Sequence, residues 1–359
     1  MGQATLCFKN ARGSPKGAAL LLSPKGNPLS QSGLDVVAIG NAIVDVLAPA
    51  PEALIAELGL TPGGMQLVDA DQANMLYSRM GAAKEISGGS AANTIAGMAA
   101  LGQRCGFIGQ VADDQFGRVF THDIRAIGVE FTTPMRASEP PTAQCLIFVT
   151  PDGQRTMNTF LGASQFLPAK ALDRAMIESA AILYLEGYLW DPAEPRAAMR
   201  DAIAIARNAG RKVAFTLSDN FVISRHGDDF RALIDAGQID ILFANDGEIL
   251  TLTGESSLDA AMAAVAPKLP TLVVTKSAEG AVAIKNGEHF AVPAEPVAHV
   301  VDTTGAGDLF AAGFLSGQAQ GRSVADSLTM GAVCAAEIIS HYGPRPEADL
   351  NALVKARLG

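Results

Sequence analysis

Short apolar runs alternate with longer amphipathic stretches along most of the chain, and this alternation constrains the fold more than any other feature. The runs are continuously hydrophobic, as strands are when both faces of a parallel sheet are covered. They lie at 36–41, 106–110, 181–185, 212–217, 239–244 and 271–275. The helical stretches between them lie at 90–101, 116–127, 195–208 and 258–268. We therefore predict an α/β fold with a central, mostly parallel sheet, helices on both faces and a ligand cleft at the carboxyl ends of the strands.

Two stretches, about 48–87 and about 131–161, interrupt this alternation. In the second, apolar runs flank a Pro-Asp-Gly turn at 151–153, which is typical of a β-hairpin. Strands inserted into an α/β chain need a surface to cover, so we predict a small β-sheet that closes as a lid over the cleft. We expect the folded domain over 34–359, after a flexible N-terminal extension over 1–33.

The charge and the cysteines limit the classes of partner and the compartment. The formal net charge is −10 and residues 1–33 are basic, so the rest of the chain is more acidic still. Such a surface repels nucleic acid and anionic lipid, and we expect neither nucleic acid nor a membrane as a partner. The cysteines are scattered without a metal or disulfide motif, which indicates reduced thiols in a cytoplasm. The five histidines show no metal-ligand spacing.

The most informative segment, 301–313, places two glycines and an alanine just before an apolar helical stretch. The N–H groups of Gly305, Ala306 and Gly307 would be unobstructed at a helix N terminus, which makes them a predicted anion hole. Asp308 follows in the first turn, where a carboxylate can accept the proton of a hydroxyl that attacks a phosphoryl group. We predict Asp308 as a catalytic base. The alternative is that Asp308 only caps the helix and that the glycines only form a turn.

Two further segments have polar residues near the start of a helix. Gly88 and Gly89 would let a ligand approach the backbone, and Asn93, one turn into the helix, could bind sugar hydroxyls. Asn245 and Glu248 could orient the water shell of Mg²⁺. Each segment also has a plainer explanation, which is a tight turn for the glycines and an N-terminal cap for Asn245. The motif G-x-x-x-x-G-K-[ST] does not occur, which excludes a P-loop enzyme.

In this order and at this separation, the segments resemble the ribokinase-like (PfkB) family of sugar and nucleoside kinases, from about Asp35 to the C terminus. Residues 302–313 look like the C-terminal signature of that family, and residues 88–102 resemble its N-terminal signature. The resemblance implies an α/β domain with a β-sheet lid, in-line transfer of the γ-phosphoryl group of ATP, and Mg²⁺ near Asn245 and Glu248.

The same resemblance extends roles to further residues. Asp45 matches the residue that binds ribose hydroxyls, and Asn41 precedes it at the end of the first strand. A monovalent cation such as potassium is implied near Asp302 and Thr304. The residues implied to bind ATP are Thr275, Ser277, Gly280, Gly305 and Gly307.

Several features favour the adenosine kinase branch of the family. Asn41 and Asp45 are spaced as in that branch, and Gln66 stands where its members carry a glutamine that contacts the substrate. The segment 343–346 resembles the closing segment of the same enzymes. Thr216 departs from the family pattern, which usually has an asparagine near the nucleotide phosphates.

The aromatic and thiol side chains near the cleft leave alternatives open. Cys145 could face the substrate from the lid or pack within it, and Tyr188 and Trp190 could stack on a base or cover the edge of the cleft. We expect a kinase that phosphorylates a primary hydroxyl of a ribonucleoside, with the 5′-hydroxyl of adenosine first. The alternatives are a kinase for free ribose, fructose or 2-keto-3-deoxygluconate, and a non-catalytic nucleotide- or sugar-binding regulator. The partner would be a small-molecule substrate, and the protein a monomer or a homodimer clasped through the lids.

Overall fold

The computed structural model describes residues 33–137 and 139–359 and contains two sheets. All but the last residue of the extension predicted over 1–33 lies outside the described residues. The strands are β1 (Val36–Ile39), β2 (Ile43–Pro49), β3 (Met65–Leu67), β4 (Lys84–Gly88), β5 (Cys105–Ile108), β6 (Glu130–Phe131), β7 (Ala143–Val149), β8 (Arg155–Phe160), β9 (Ile182–Glu186), β10 (Lys212–Thr216), β11 (Ile241–Asn245), β12 (Thr271–Thr275), β13 (Ala281–Lys285) and β14 (Glu288–Val292). The α-helices are α1 (Glu52–Glu57), α2 (Ala70–Arg79), α3 (Ser90–Ala100), α4 (Gln115–Ala126), α5 (Arg174–Ser179), α6 (Ala193–Asn208), α7 (Asn220–Asp235), α8 (Asp246–Thr253), α9 (Leu258–Val265), α10 (Ala306–Ala319), α11 (Val324–Ile338) and α12 (Leu350–Leu358). Short 3₁₀ helices lie at Gly162–Gln165, Ala169–Ala171, Gly187–Trp190, Ala266–Lys268 and Ser277–Glu279.

The larger sheet has nine strands in the order β14-β13-β12-β11-β10-β9-β1-β5-β6. Neighbouring strands from β12 to β6 run parallel, and the antiparallel strands β13 and β14 close one edge. The predicted α/β fold with a mostly parallel sheet is therefore confirmed, and its strands lie close to the predicted runs. The strand order reverses at β1, which lies between β9 and β5, and such a reversal opens a crevice at the carboxyl ends of the strands.

Strand β1 shows why these runs are continuously apolar. Val36 and Ala38 pack into the core on one side of the large sheet, which also contains side chains of α3, α10 and α11. Val37 and Ile39 pack into the core on the other side, with side chains of α6 and α7. Successive side chains of a strand point to opposite faces, so a sheet covered on both faces needs an apolar residue at every position.

Helix α10 is buried between α3 and α11, and glycines allow the close approach. A Cβ at Gly97 of α3 would overlap Leu309 and Ala312, and a Cβ at Gly313 would overlap the backbone of Met330. The N termini of α3 and α10 are thereby fixed next to each other. This arrangement brings together two segments that are far apart in the sequence.

The smaller sheet, hereafter the small sheet, has five strands in the order β3-β8-β7-β2-β4. The predicted hairpin is present as β7 and β8, which pair antiparallel. Strand β2 begins at Ile43, before the predicted lid segment 48–87, and pairs with both β4 and β7. That the small sheet moves as a lid stays a prediction. Across the described ranges, no helix has the length and hydropathy that a membrane span requires.

Candidate active site

A cavity of about 740 Å³ lies between the carboxyl ends of the large sheet and the small sheet. The large sheet contributes residues that end or follow its strands, namely Asn41, Glu186, Thr216, Asn245 and Thr275. The small sheet contributes Ile43, Asp45, Gln66, Cys145, Ile147 and Thr159, among others. The first turns of α3 and α10 also line it. Most residues that the sequence predicts to bind a substrate or a nucleotide therefore meet in one cavity.

Asp308 lies in the first turn of α10, and two donors from α3 hold its carboxylate. The Ser90 hydroxyl donates to Oδ1 at 2.6 Å, and the Asn93 side-chain amide donates to Oδ2 at 3.1 Å. Burial raises the pKa of Asp308, while these two hydrogen bonds and the charge of Arg345 act in the opposite direction. The side chain is thus a fixed carboxyl group with raised basicity, which suits a general base. Ser90 is absent from the predicted site, although it follows the two glycines directly.

The backbone before Asp308 forms the start of α10. Gly305 is the N-cap residue and has a φ of +79°, which side chains with a Cβ rarely adopt. The N–H of Ala306 donates to the Thr303 carbonyl at 3.2 Å, so this predicted donor of the anion hole is used within the loop. The N–H of Gly307 belongs to the first helical turn, where a donor has no intrahelical acceptor. The predicted anion hole is thereby reduced to Gly305 and Gly307, which both line the cavity.

The paired glycines before α3 fit closely against two polar residues. A Cβ at Gly88 would overlap the Asp45 carboxylate, and a Cβ at Gly89 would overlap the Asn41 carbonyl. Of the two glycines, Gly89 lines the cavity. Asn93 lines it as well, and its buried Oδ1 has no hydrogen-bond partner within the described residues. This oxygen is free to accept a hydrogen bond from a substrate hydroxyl.

Glu186, at the end of β9, is a site residue that the sequence predictions omit. Its Oε1 accepts from the backbone N–H of Asn41 at 2.7 Å and from the Asn41 side-chain amide at 2.6 Å, and its Oε2 accepts from the Ala91 N–H at 2.7 Å. Asn41 Oδ1 in turn accepts from the Ser164 hydroxyl at 2.8 Å. Burial raises the pKa of Glu186 to about 7, against the effect of the hydrogen bonds from Asn41 and Ala91.

These contacts change the role expected of Asn41. Its amide oxygen and one amide hydrogen are bound within the protein, so Asn41 mainly joins the end of β1 to Glu186. Glu186 also binds the first turn of α3 through Ala91. The available sequence signal is an acidic residue directly after an apolar strand, at the edge where ligands bind α/β sheets.

Asp45 and Cys145 are paired neighbours on β2 and β7, and both line the cavity. Burial raises the pKa of Asp45 to about 7, although the charges of Arg345 and Arg155 lower it. The Thr159 hydroxyl donates to the Cys145 sulfur at 3.4 Å, and burial raises the pKa of Cys145 to about 12. The thiolate form is therefore disfavoured, and the thiol forms part of the cavity wall.

Exposed apolar side chains line the same cavity as these polar groups. Met65 and Leu67 on β3 are 53% and 64% exposed, and Phe221 at the start of α7 is 74% exposed. Gln66, between the first two, also lines the cavity and donates its side-chain amide to Asn158 at 2.8 Å. The predicted glutamine is present in the site, and it is accompanied by an apolar surface that the sequence predictions omit.

Trp190 neither stacks in the cavity nor covers its edge. Its indole is fully buried, packs against Phe215 and Phe230, and donates Nε1–H to Asp229 at 3.0 Å. The interpretation of Trp190 as a site residue is therefore wrong, because the packing of α7 draws it into the core. Tyr188 lines the cavity and is partly exposed, so it remains available to a ligand.

On the predicted nucleotide side, the structure brings together only part of the expected set. Thr275 lines the cavity at the end of β12, whereas Ser277 and Gly280 lie in the following loop and are not part of the lining. Gly280 has a φ of +91°, and a Cβ there would overlap the Val292 carbonyl, so this glycine closes the loop against β14. Thr216, the departure from the family pattern, lines the cavity at the end of β10.

Asn245 and Glu248 cap the start of α8 reciprocally, and both line the cavity. Asn245 Oδ1 accepts from the Glu248 N–H at 2.8 Å, and Glu248 accepts from the Asn245 N–H at 3.0 Å and side-chain amide at 2.8 Å. Burial raises the pKa of Glu248 to about 7. Each carboxylate oxygen is already bound, so the pair fits contact with Mg²⁺ through its coordinated water. Among the described residues, no cluster of three or more His, Cys, Asp or Glu could hold a metal ion directly.

Arg345 is a buried arginine that holds the segment around α3. Its Nη1 donates to the Ala92 carbonyl at 2.9 Å, and its Nη2 donates to the Ser87 carbonyl at 2.5 Å and to the Ser87 hydroxyl at 2.7 Å. It belongs to the segment 343–346, whose resemblance to the closing segment of the adenosine kinase branch stays a prediction. This arginine supports the strand and the helix on either side of Gly88 and Gly89.

Asp302 and Thr304, the residues implied to bind a monovalent cation, precede α10. The Thr304 N–H donates to Asp302 Oδ1 at 3.0 Å. Arg155 Nη1 of the small sheet lies 2.7 Å from Asp302 Oδ2. The Asp302 carboxylate therefore has a counter-ion supplied by the protein.

Comparison with known proteins agrees with this arrangement. The sequence matches the pfkB family carbohydrate kinases over residues 35–350. The chain belongs to this family. This pfkB family kinase is 45% identical to the adenosine kinase of Sinorhizobium meliloti, whose structure it matches with a TM-score of 0.84 over 91% of this chain and 100% of that one. A probable sugar kinase protein from Rhizobium etli is 43% identical, with a TM-score of 0.84 over 91% of this chain and 99% of that one. Fructokinase-1 of Zea mays is 32% identical over 235 residues, which are 64% of this chain and 72% of that protein.

Membership of the pfkB family confirms that the protein is a phosphotransferase that acts on a hydroxyl group. Kinases of this family use ATP with Mg²⁺. The similarity to adenosine kinases supports the predicted branch of the family. Because fructokinases are also among the relatives, sequence similarity defines the protein as a sugar or nucleoside kinase and leaves the substrate open. The comparisons favour this class over the non-catalytic regulator.

Proposed function

We propose that this pfkB family kinase transfers the γ-phosphoryl group of ATP to the 5′-hydroxyl of a ribonucleoside, with adenosine as the first candidate. One observation carries the proposal. Asp308 is held by Ser90 and Asn93 at the N terminus of α10, inside a cavity that also has an exposed apolar surface.

The residues around Asp308 supply the parts that phosphoryl transfer needs. The acceptor hydroxyl would lie against Asp308, which takes its proton as the oxygen attacks the γ-phosphorus of ATP. The bond from that phosphorus to the β-phosphate oxygen breaks, and ADP leaves. The N–H groups of Gly305 and Gly307, with the positive end of the α10 dipole, would stabilise charge on the transferring phosphoryl oxygens. Mg²⁺, held through water near Asn245 and Glu248, would neutralise phosphate charge.

The cavity has a polar part and an apolar part, and from these we infer which molecule receives the phosphoryl group. The Asp45 carboxyl group and the free Oδ1 of Asn93 line the cavity and can accept hydrogen bonds from ribose hydroxyls. Met65, Leu67 and Phe221 present an apolar surface that a planar base would cover. A free sugar would leave that surface exposed, so the nucleoside fits the whole cavity better.

A coupled ADP-release assay tests this proposal. We would compare kcat/KM with Mg-ATP for adenosine, inosine, guanosine, ribose, fructose and 2-keto-3-deoxygluconate. A clear preference for a nucleoside would support the proposal. A preference for a free sugar would leave the role of Asp308 intact and would refute the proposed acceptor.

A kinase for a free sugar is the second candidate. The 32% identity to a fructokinase favours it. It predicts that fructose or another free sugar is the best acceptor in the same assay, and that removal of the apolar side chains changes turnover little.

A further inference from the structure

Asp302 carries a negative charge just before the loop that starts α10, and the chain neutralises this charge itself. Arg155 Nη1 lies 2.7 Å from Asp302 Oδ2, and the two side chains are only 4% and 8% exposed. The other oxygen, Oδ1, accepts from the Thr304 N–H at 3.0 Å. Oδ1 is thus held by a hydrogen bond. Oδ2 is paired with the guanidinium by charge alone, because neither Oδ2 nor the side-chain nitrogens of Arg155 have a hydrogen-bond partner among the described residues.

Arg155 reaches Asp302 from a different part of the fold. It is the first residue of β8 in the small sheet, and its guanidinium lies 5.7 Å from the centroid of the Tyr342 ring, which adds a cation–π contact. Gly153, in the turn before β8, has a φ of +85° and lies against the Tyr342 hydroxyl. The end of the hairpin is thus held against the segment that follows α11.

A nearly buried carboxylate needs a neutralising partner, because an unpaired charge in the interior is strongly disfavoured. A bound monovalent cation could supply the positive charge, and so can a guanidinium. The guanidinium of Arg155 lies 2.7 Å from Oδ2, so a monovalent cation bound at Asp302 would be repelled by a positive charge a few ångströms away. The residues around Asp302 therefore do not fit the monovalent cation that the family resemblance implies.

We propose that Arg155 takes the place of a monovalent cation at Asp302, so that phosphoryl transfer by this kinase needs neither potassium nor another monovalent cation. The counter-ion is part of the small sheet and lies beside the loop before Gly305. The conformation of this loop then depends on the position of the small sheet and not on the salt. The independence from monovalent cations is expected whichever acceptor the kinase uses. The inference rests on the proposed function only for the choice of assay substrate.

The first test compares kcat/KM for the best acceptor in the chlorides of potassium, sodium and tetramethylammonium at one ionic strength. We expect the three values to agree within about twofold, because no site for the cation is open. Activation of the wild-type enzyme by potassium of about tenfold or more would overturn the proposal.

The second test removes the guanidinium. Arg155→Met keeps most of the aliphatic side chain and leaves Asp302 without its counter-ion. We expect potassium to raise the midpoint of thermal unfolding of this variant by about 2–4 °C and to restore part of its turnover. Arg155→Lys, which retains a positive charge, should stay independent of potassium. Arg174→Met is the matched control, because it removes an exposed guanidinium that pairs with Glu178 on the surface.

The midpoint of thermal unfolding is measured without any acceptor. It therefore tests the role of Arg155 even if the proposed acceptor is wrong. The contrary result is that potassium leaves kcat/KM of the wild type unchanged and also leaves both turnover and the unfolding midpoint of Arg155→Met unchanged. In that case Asp302 is not a cation site, and the proposal that Arg155 takes the place of a cation is refuted. If Arg155→Met does not fold, the wild type and Arg155→Lys decide, because potassium activation of either one contradicts the proposal.

Discussion

Replacing Asp308 with asparagine would remove the proposed base while keeping the shape of the site. The Ser90 hydroxyl now donates to Oδ1 at 2.6 Å, and it can rotate to accept from the new amide. The Asn93 amide, 3.1 Å from Oδ2, can still donate to the remaining oxygen. Both hydrogen bonds can therefore persist, and the variant should fold. The charge of Arg345, which acts on Asp308, keeps Asp123 and Asp45 as acidic neighbours in the variant.

The expected effect is on the chemical step. General-base catalysis contributes about 10²–10⁴-fold, so kcat for Asp308→Asn should fall by about that factor. This loss corresponds to about 3–5 kcal/mol of transition-state stabilisation. The affinity for ATP should change little, because Thr275 and the N–H groups of Gly305 and Gly307 remain in place.

The assay is coupled ADP release with the preferred acceptor, and calorimetry measures the binding of ATP. Asp326→Asn is the matched control, because Asp326 occupies the third position of α11, as Asp308 does in α10, but does not line the cavity. It should turn over at the wild-type rate. A kcat for Asp308→Asn within about tenfold of the wild type, with ATP binding intact, would refute the role of Asp308 as the base.

Three further perturbations test other parts of the site. Phe221→Ala should raise KM for the nucleoside by about 2- to 13-fold, since an aromatic contact is worth about 0.5–1.5 kcal/mol, and should leave KM for ribose unchanged. Equal effects on both acceptors would contradict a base-binding surface. Asp45 has a folded pKa of about 7, above its value of about 4 in the unfolded chain. The free energy of unfolding should therefore fall as pH rises from about 4 to about 7, and urea denaturation should show a smaller decline in Asp45→Asn, whereas an identical decline would argue against this group. Arg345→Met removes the donors to Ser87 and Ala92, so the free energy of unfolding should drop by about 1–3 kcal/mol, and an unchanged urea midpoint would show that Arg345 does not hold α3.

The residues that sequence alone could locate are those whose chemistry depends on neighbours in the chain. The start of α10 is one example, because a glycine at a helix N terminus, the free N–H of Gly307 and the first-turn position of Asp308 all follow from local backbone geometry. The cap formed by Asn245 and Glu248 is another, since the two residues are three positions apart.

Glu186 and Trp190 show where local patterns fail. Glu186 binds Asn41 and Ala91, which are 145 and 95 positions away in the chain. Trp190 follows β9 closely enough to face the cleft, but the packing of Phe215 and of Phe230 on α7 places it in the core. Neither outcome is encoded in the residues that surround these two side chains in the sequence.

The sequence by itself determined the α/β fold, the kinase signatures and the position of Asp308, because each depends on periodicity or on spacing within a single helix turn. Only the tertiary structure decided that Ser90 and Asn93 bind Asp308, and that Arg155 of the small sheet neutralises Asp302. The physical reason is that hydrogen bonds and ion pairs act over a few ångströms. Which distant residues come that close is set by the packing of whole helices and sheets.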